Sequence, residues 1–348
     1  MNLTRVSSSS ASPFARASLV AAVSSLLLLA ACSSTGNADT TNGGNGGNGN
    51  GGHGGDGGGI SFDPSDAGDA ACADNVRPIF VLTQGTPAMI HSFDPQTLTF
   101  APVQKIECPD TKDWVVASMS VDRNYRAWVE WGTNNPQDVN PYYKRLDRID
   151  LATGACTPNT GKLPDADHYT QALGMAFVSD SNGSSAESLF FIDKQTKIYP
   201  LGATDPIGQW YKFKPGEGTT FSGLELTGTG AGRLFAFVMN WTPEWSHPCT
   251  PENPCGPTVH IGEVSTKDGS AISNEEVTEI PAFGNNGGGF AFAHWGGLFW
   301  VFEALNFGPT HVYKYDPELK KAELVKTDGP NAVVGAGVST CAPLTIPK

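Results

Sequence analysis

Val333-Val334-Gly335-Ala336-Gly337-Val338-Ser339, near the C-terminal end, is a run of small and β-branched residues with no large apolar run after it. Far upstream, Pro78-Ile79-Phe80-Val81-Leu82 is a large apolar run with no small-residue run before it. Each has what the other lacks. Between them lie four further apolar runs: Ala127-Trp128-Val129, Leu189-Phe190-Phe191-Ile192, Leu234-Phe235-Ala236-Phe237-Val238 and Leu298-Phe299-Trp300-Val301-Phe302. Each of these four follows a small-residue segment: Ser118 to Asp122, Gly174 to Phe177, Leu226 to Gly230, and Gly289 to Ala293. Aligned positions 79, 127, 189, 234 and 298 are separated by 48, 62, 45 and 64 residues, a mean near 55. Internal repetition at this period points to blades of four strands.

Small residues suit innermost strands crowded around an axis, and the larger apolar runs suit the second strands. A third strand ending in a polar turn follows at Ser92-Phe93-Asp94-Pro95, at Arg148 to Gly154 and at Lys314-Tyr315-Asp316-Pro317. The D-x-x-T-G turn at 150–154 resembles those of quinoprotein-type propeller repeats, and it is read here as turn chemistry. The expected fold is therefore all-β: a five-bladed β-propeller whose C-terminal strand joins the first blade and leaves no open sheet edge. The alternatives are six blades, with a sheet hidden in one long loop, or a pair of β-sandwiches. No sustained 3.6-residue periodicity appears, and Pro317 to Leu324 allows at most a short helix.

The chain has 348 residues, 41 of them glycine and 25 proline. Hydrophobic residues at 39% exclude a chain that is disordered throughout. A formal charge of −13 argues against tracking nucleic-acid phosphate, so no nucleic-acid partner is expected.

Arg5 and Arg16 precede the run Ala17 to Ala31, 15 residues that are apolar apart from three serines. A spanning helix needs roughly 20 apolar residues, so this reads as a signal-peptide core. It ends in Leu29-Ala30-Ala31-Cys32, which resembles the lipobox of bacterial lipoproteins. That resemblance implies cleavage before Cys32, diacylglycerylation of its thiol and acylation of the new amine, palmitate being a typical chain. Several acyl chains on one residue give firm anchoring. The rival is an ordinary secretory signal that happens to contain a cysteine. Ser33, where the inner-membrane retention signal would place aspartate, implies the outer membrane. Cleavage removes two arginines and no acids, which takes the charge from −13 to −15.

Residues 32–69 read as the lipidated cysteine and a flexible tether, with 13 glycines among the 24 residues from Gly36 to Gly59. Such a chain spans roughly 25–30 Å root-mean-square. His53 and Asp56 lie inside it, where two isolated ligands on a floppy chain make a poor metal site. Asp63, Asp66, Asp69 and Asp74 do not match a calcium loop. No metal or cofactor is expected. Residues 70–348 form the folded domain.

Three phrases, Glu225 to Phe235, Ala291 to Gly297 and Val334 to Pro343, resemble a family of uncharacterised bacterial lipoproteins over roughly 75–345. The resemblance implies a propeller-like domain and an envelope location, and it carries over no catalytic residues.

With Cys32 lipidated, six cysteines remain in an exported protein, which fits three disulfides. Cys72 precedes the first core and Cys341 follows the closing strand, so they are expected to pair. Cys249 and Cys255 flank a small proline-bearing loop, and Cys108 and Cys156 follow outer strands of neighbouring blades. Zinc is the rival reading, for which C-x5-C is poor spacing.

Three loops combine aromatics with acids. Residues 107–117 carry Asp110, Asp113 and Trp114; residues 158–173 carry Asp165, Asp167, His168 and Tyr169; residues 240–258 carry Trp241, Glu244, Trp245 and His247. On one face of a ring, Trp114, Asp113, Asp165, His168, Trp241, Glu244 and Trp245 would make a ligand-binding or hydrolytic cleft, with paired carboxylates as acid and base. Alternatively the tryptophans pack their own loops and the acids are solvated. His294 reads as a structural histidine, and Asp122-Arg123 as a turn ion pair. No H-E-x-x-H, P-loop or nucleophile elbow occurs. The function expected is a lipid-anchored envelope protein presenting a binding or scaffold module to an envelope protein or glycan; the alternative is a carbohydrate-active hydrolase or lyase using loop carboxylates.

Overall fold

A computed structural model describes residues 72, 74–112, 114–133, 145–158, 160–164, 173–211, 223–240, 258–281 and 288–347. Within them are twenty strands in five four-stranded antiparallel sheets. Blade 1 holds β1 (Ile79–Thr83), β2 (Met89–Asp94) and β3 (Thr99–Lys105). Blade 2 is β4 (Trp114–Val121), β5 (Arg126–Thr133), β6 (Arg145–Asp150) and β7 (Cys156–Thr157). Blade 3 is β8 (Gly174–Ser179), β9 (Glu187–Ile192), β10 (Lys197–Pro200) and β11 (Gly208–Gln209). Blade 4 is β12 (Gly223–Gly228), β13 (Leu234–Asn240), β14 (Thr258–Val264) and β15 (Glu275–Val277). Blade 5 is β16 (Gly288–Trp295), β17 (Leu298–Leu305), β18 (Pro309–Asp316) and β19 (Lys321–Asn331). The last strand, β20 (Val333–Gly337), is the inner strand of blade 1.

The closure is the one expected from the two unmatched segments. Strand β20 runs antiparallel to β1, with Phe80 opposite Gly337, Val81 opposite Ala336 and Leu82 opposite Gly335. Cys72 and Cys341 are disulfide-bonded beside it, their Cα atoms 5.8 Å apart. Cys108 and Cys156 form a second disulfide between blades 1 and 2. Cys32 and the Cys249–Cys255 pair lie outside the described residues.

Five apolar clusters hold the ring, one at each junction between blades. Strand β1 shows how one strand serves two of them. Side chains alternate across a strand, so Phe80 and Leu82 pack toward blade 2 while Ile79 and Val81 pack toward blade 5. Both faces are buried, which is why the sequence shows unbroken apolar runs and not alternation.

Pro317 to Leu324, expected to hold at most a short helix, holds a turn at 317–320 and the start of strand β19. Two local expectations are corrected. Asp122 pairs with Arg126, not Arg123: Arg126 Nε donates to Asp122 Oδ2 at 2.8 Å and Trp128 Nε1 donates to the same oxygen at 3.1 Å. Arg123 instead donates its backbone N–H to Glu187 Oε1 and its Nε to Thr340 Oγ1, tying blades 2 and 3 to the C-terminal segment. The small-residue segment at 226–230 is shifted, β12 covering Gly223–Gly228 and residues 229–233 forming its turn. No described helix is long and apolar enough to cross a membrane.

Candidate functional site

The five inner strands run in one direction. Gly335 and Gly337 of β20 lie against Ser118 and Ser120 of β4 in the same order along both strands. Gly223 approaches Phe290, and Thr227 Oγ1 accepts the His294 N–H at 2.9 Å, which sets the same sense for β12 and β16. Connections that lead into inner strands, and those between second and third strands, therefore leave from one face of the ring, called the upper face here. The described strand ends that flank residues 106–113, 159–172 and 241–257 all belong to it. The three loops singled out in the sequence thus depart from a common face.

Of the seven expected ligand residues, Trp114 is described. It opens β4, half-buried, with its N–H donating to the Thr111 carbonyl at 3.1 Å. Asp113, Asp165, His168, Trp241, Glu244 and Trp245 lie outside the described residues.

Trp114 lines a cavity of about 550 Å³ between blades 1 and 2. Val116, Ala88, Ile106 and the buried Trp131 supply apolar wall. Gln84 and Thr86 from the β1–β2 connection, and Glu107, Asp110, Thr111 and Lys112 from the β3–β4 connection, supply polar groups. The rim is braced. Gln84 Nε2 donates to the Val116 carbonyl at 2.9 Å, and Thr111 Oγ1 donates to the Cys108 carbonyl at 2.8 Å. Cys108 itself lines the cavity and is bonded to Cys156, Cα to Cα 5.4 Å. The sulfurs of this disulfide lie with the Asp147 carboxylate within 4.8 Å of one another. Because the two sulfurs are bonded to each other, and Asp147 Oδ1 accepts Arg145 Nε at 2.7 Å, the group is a structural clamp and the zinc reading of these cysteines fails. Asp110 was marked in the sequence. Gln84, Glu107, Lys112 and Trp131 were not, because separate connections and strands bring them together.

A second cluster reaches from blade 2 to blade 4. Glu130 on β5 and Glu225 on β12 are both buried. Ser118 Oγ lies 3.3 and 3.4 Å from the two carboxyl oxygens of Glu225, and Leu173 N–H donates to Glu130 Oε2 at 2.9 Å. Burial pushes both carboxyls well above the usual range, and the nearby Glu130 charge pushes Glu225 further. His294 packs on Phe235 and Phe299, and burial pushes it down to about 3, so it is a neutral core residue as expected.

No protein-family model matches the chain, and no curated protein matches it in sequence. Among solved structures, a glycoside hydrolase family 43 arabinoxylan arabinofuranohydrolase from Bacillus subtilis, in complex with cellotetraose, is similar at 12% identity and TM-score 0.42. The match covers 61% of this chain and 52% of that one. A luciferin-regenerating enzyme is similar at 12% identity and TM-score 0.38, over 75% of this chain and 78% of that one. TolB from Acinetobacter baumannii is similar at 10% identity and TM-score 0.32, over 74% of this chain and 55% of that one. Likeness at these TM-scores carries no argument about activity or ligand.

Proposed function

We propose that the protein is a lipid-anchored envelope protein, tethered at the outer membrane through Cys32, whose propeller is a binding module working from its upper face. The observation that carries this reading is the braced cavity at Trp114: its volume lies in the range of ligand pockets, and it combines aromatic wall with a few polar groups. The anchor rests on the lipobox resemblance at Leu29 to Cys32, and the reach of the domain on the glycine-rich tether after it. Capture from envelope extract by the lipidated chain in detergent, against a tether-only control, tests the reading. No enriched protein or glycan would count heavily against it.

A second reading, a carbohydrate-active hydrolase or lyase, is favoured by the acids Glu107 and Asp110 lining the cavity that Trp114 also lines. Turnover separates the two readings. Release of reducing or unsaturated ends from a glycan, abolished in Asp110→Asn, supports the enzyme; binding without turnover supports the module.

A further inference from the structure

We propose that the cavity between blades 1 and 2 receives an uncharged saccharide, with Trp114 as the surface on which a sugar ring stacks. This rests on the binding-module reading and names the ligand class of the same site. Three observations converge. The wall contains two tryptophans, Trp114 half-buried and Trp131 buried, and the half-exposed Trp114 offers a flat apolar surface to the C–H face of a pyranose or furanose ring. The rim holds more acceptors than cations. Glu107 and Asp110 offer carboxylate oxygens to sugar hydroxyl donors, and Gln84 keeps its amide oxygen to accept after its Nε2 has gone to Val116. Lys112 is the one cation among the described lining residues, Glu107 is ion-paired with Lys105, and the whole chain carries −13. With these rim charges balanced, a polyanionic glycan finds no surplus of cations to bind, and the charge of the whole chain opposes its approach. A hydrocarbon ligand would leave Asp110 and the Gln84 amide oxygen without donors. A neutral polyol with one apolar face satisfies both halves of the cavity.

The clamp adds a second consequence. Residues 106–112 supply half of the rim, and the Cys108–Cys156 disulfide fastens that segment to the outer edge of blade 2. A rim fixed before the ligand arrives loses less conformational freedom on binding.

The test uses the lipidated chain in detergent, titrated with neutral oligosaccharides of three to five hexose or pentose units and with oligogalacturonates of equal length. The expected result is saturable binding of a neutral oligosaccharide, at least about tenfold weaker in Trp114→Ala. Trp114→Phe keeps a flat ring and should retain most of the affinity, which guards against a folding defect. A Cys108→Ser/Cys156→Ser double variant should bind more weakly through faster dissociation. Preference for oligogalacturonate, or neutral binding unchanged in Trp114→Ala, overturns the proposal. If no saccharide binds but an envelope protein is captured in a Trp114-dependent way, the saccharide inference falls and the binding module stands. If neither happens, both fall.

Discussion

The backbone of Gly228 is seated against that of Phe177 in the neighbouring blade, where an added Cβ would overlap the Phe177 carbonyl oxygen. The same closeness recurs around the ring. Gly289 meets the Val333 carbonyl, and Gly337 lies so near β4 that a Cβ would come 2.7 Å from the Val121 nitrogen. Inner strands that converge on one axis leave no room for side chains at these points.

Gly228→Ala should therefore destabilise the domain through crowding of the β8–β12 contact. Overpacking of this kind costs about 1–3 kcal/mol. Urea unfolding should show a lower midpoint with an unchanged slope. A midpoint equal to that of the wild type would show that blades 3 and 4 can separate without loss.

The Cys72–Cys341 disulfide should hold the last closing step of the ring. It joins positions 269 residues apart, so it restrains almost the whole domain in the unfolded state. Removing a native disulfide commonly costs about 2–5 kcal/mol. In Cys72→Ser/Cys341→Ser, amide exchange should accelerate first in β20 and β1. Uniform acceleration across all blades would contradict this order of opening.

Stability should fall as pH rises through neutrality. Burial pushes the Glu303 carboxyl up to about 7 from its usual 4.5, and pushes Glu130 and Glu225 up as well. A carboxyl with a raised folded-state pKa binds its proton more tightly when folded. Its stabilising contribution is complete below about pH 4.5 and is lost as pH rises through the folded value. For Glu303 this amounts to about 3 kcal/mol between pH 4.5 and 7. Chemical unfolding at pH 5 and pH 7.5 reads the difference, which Glu303→Gln should shrink and Glu130→Gln should shrink further. A slope that neither variant alters would place the titrating groups elsewhere.

Anchor and ring should be separable. Cys32→Ser is expected to move the protein from the membrane pellet to the soluble fraction while its thermal unfolding midpoint stays the same. Persistence of the variant in the pellet would reveal a second membrane-binding surface.

Five blades as the favoured count, the strand that closes the ring and two of the disulfides were legible in the sequence. These follow from local patterns: small inner strands, apolar second strands and unmatched segments at the two ends. Pairing of β20 with β1 was legible because Ile79–Leu82 and Val333–Ser339 each lacked a neighbour that every other blade possessed. Boundaries were less legible. Thr229 and Gly230 read as strand but turn, because a tight turn also favours small residues; Lys321–Asn331 gave no alternation because it is the exposed outer edge of blade 5. Which side chains share a surface became visible once the blades were packed together. Asp122 chooses Arg126 over its sequence neighbour because the β4–β5 hairpin folds Arg126 back across it. The cavity joins Gln84, Glu107, Trp114 and Trp131, contributed by the β1–β2 and β3–β4 connections and by two strands of blade 2, and no spacing along the chain encodes that meeting. Repetition fixes the ring because each blade packs its apolar faces on its two neighbours; the site is particular to one junction, where residues far apart in the chain are packed side by side.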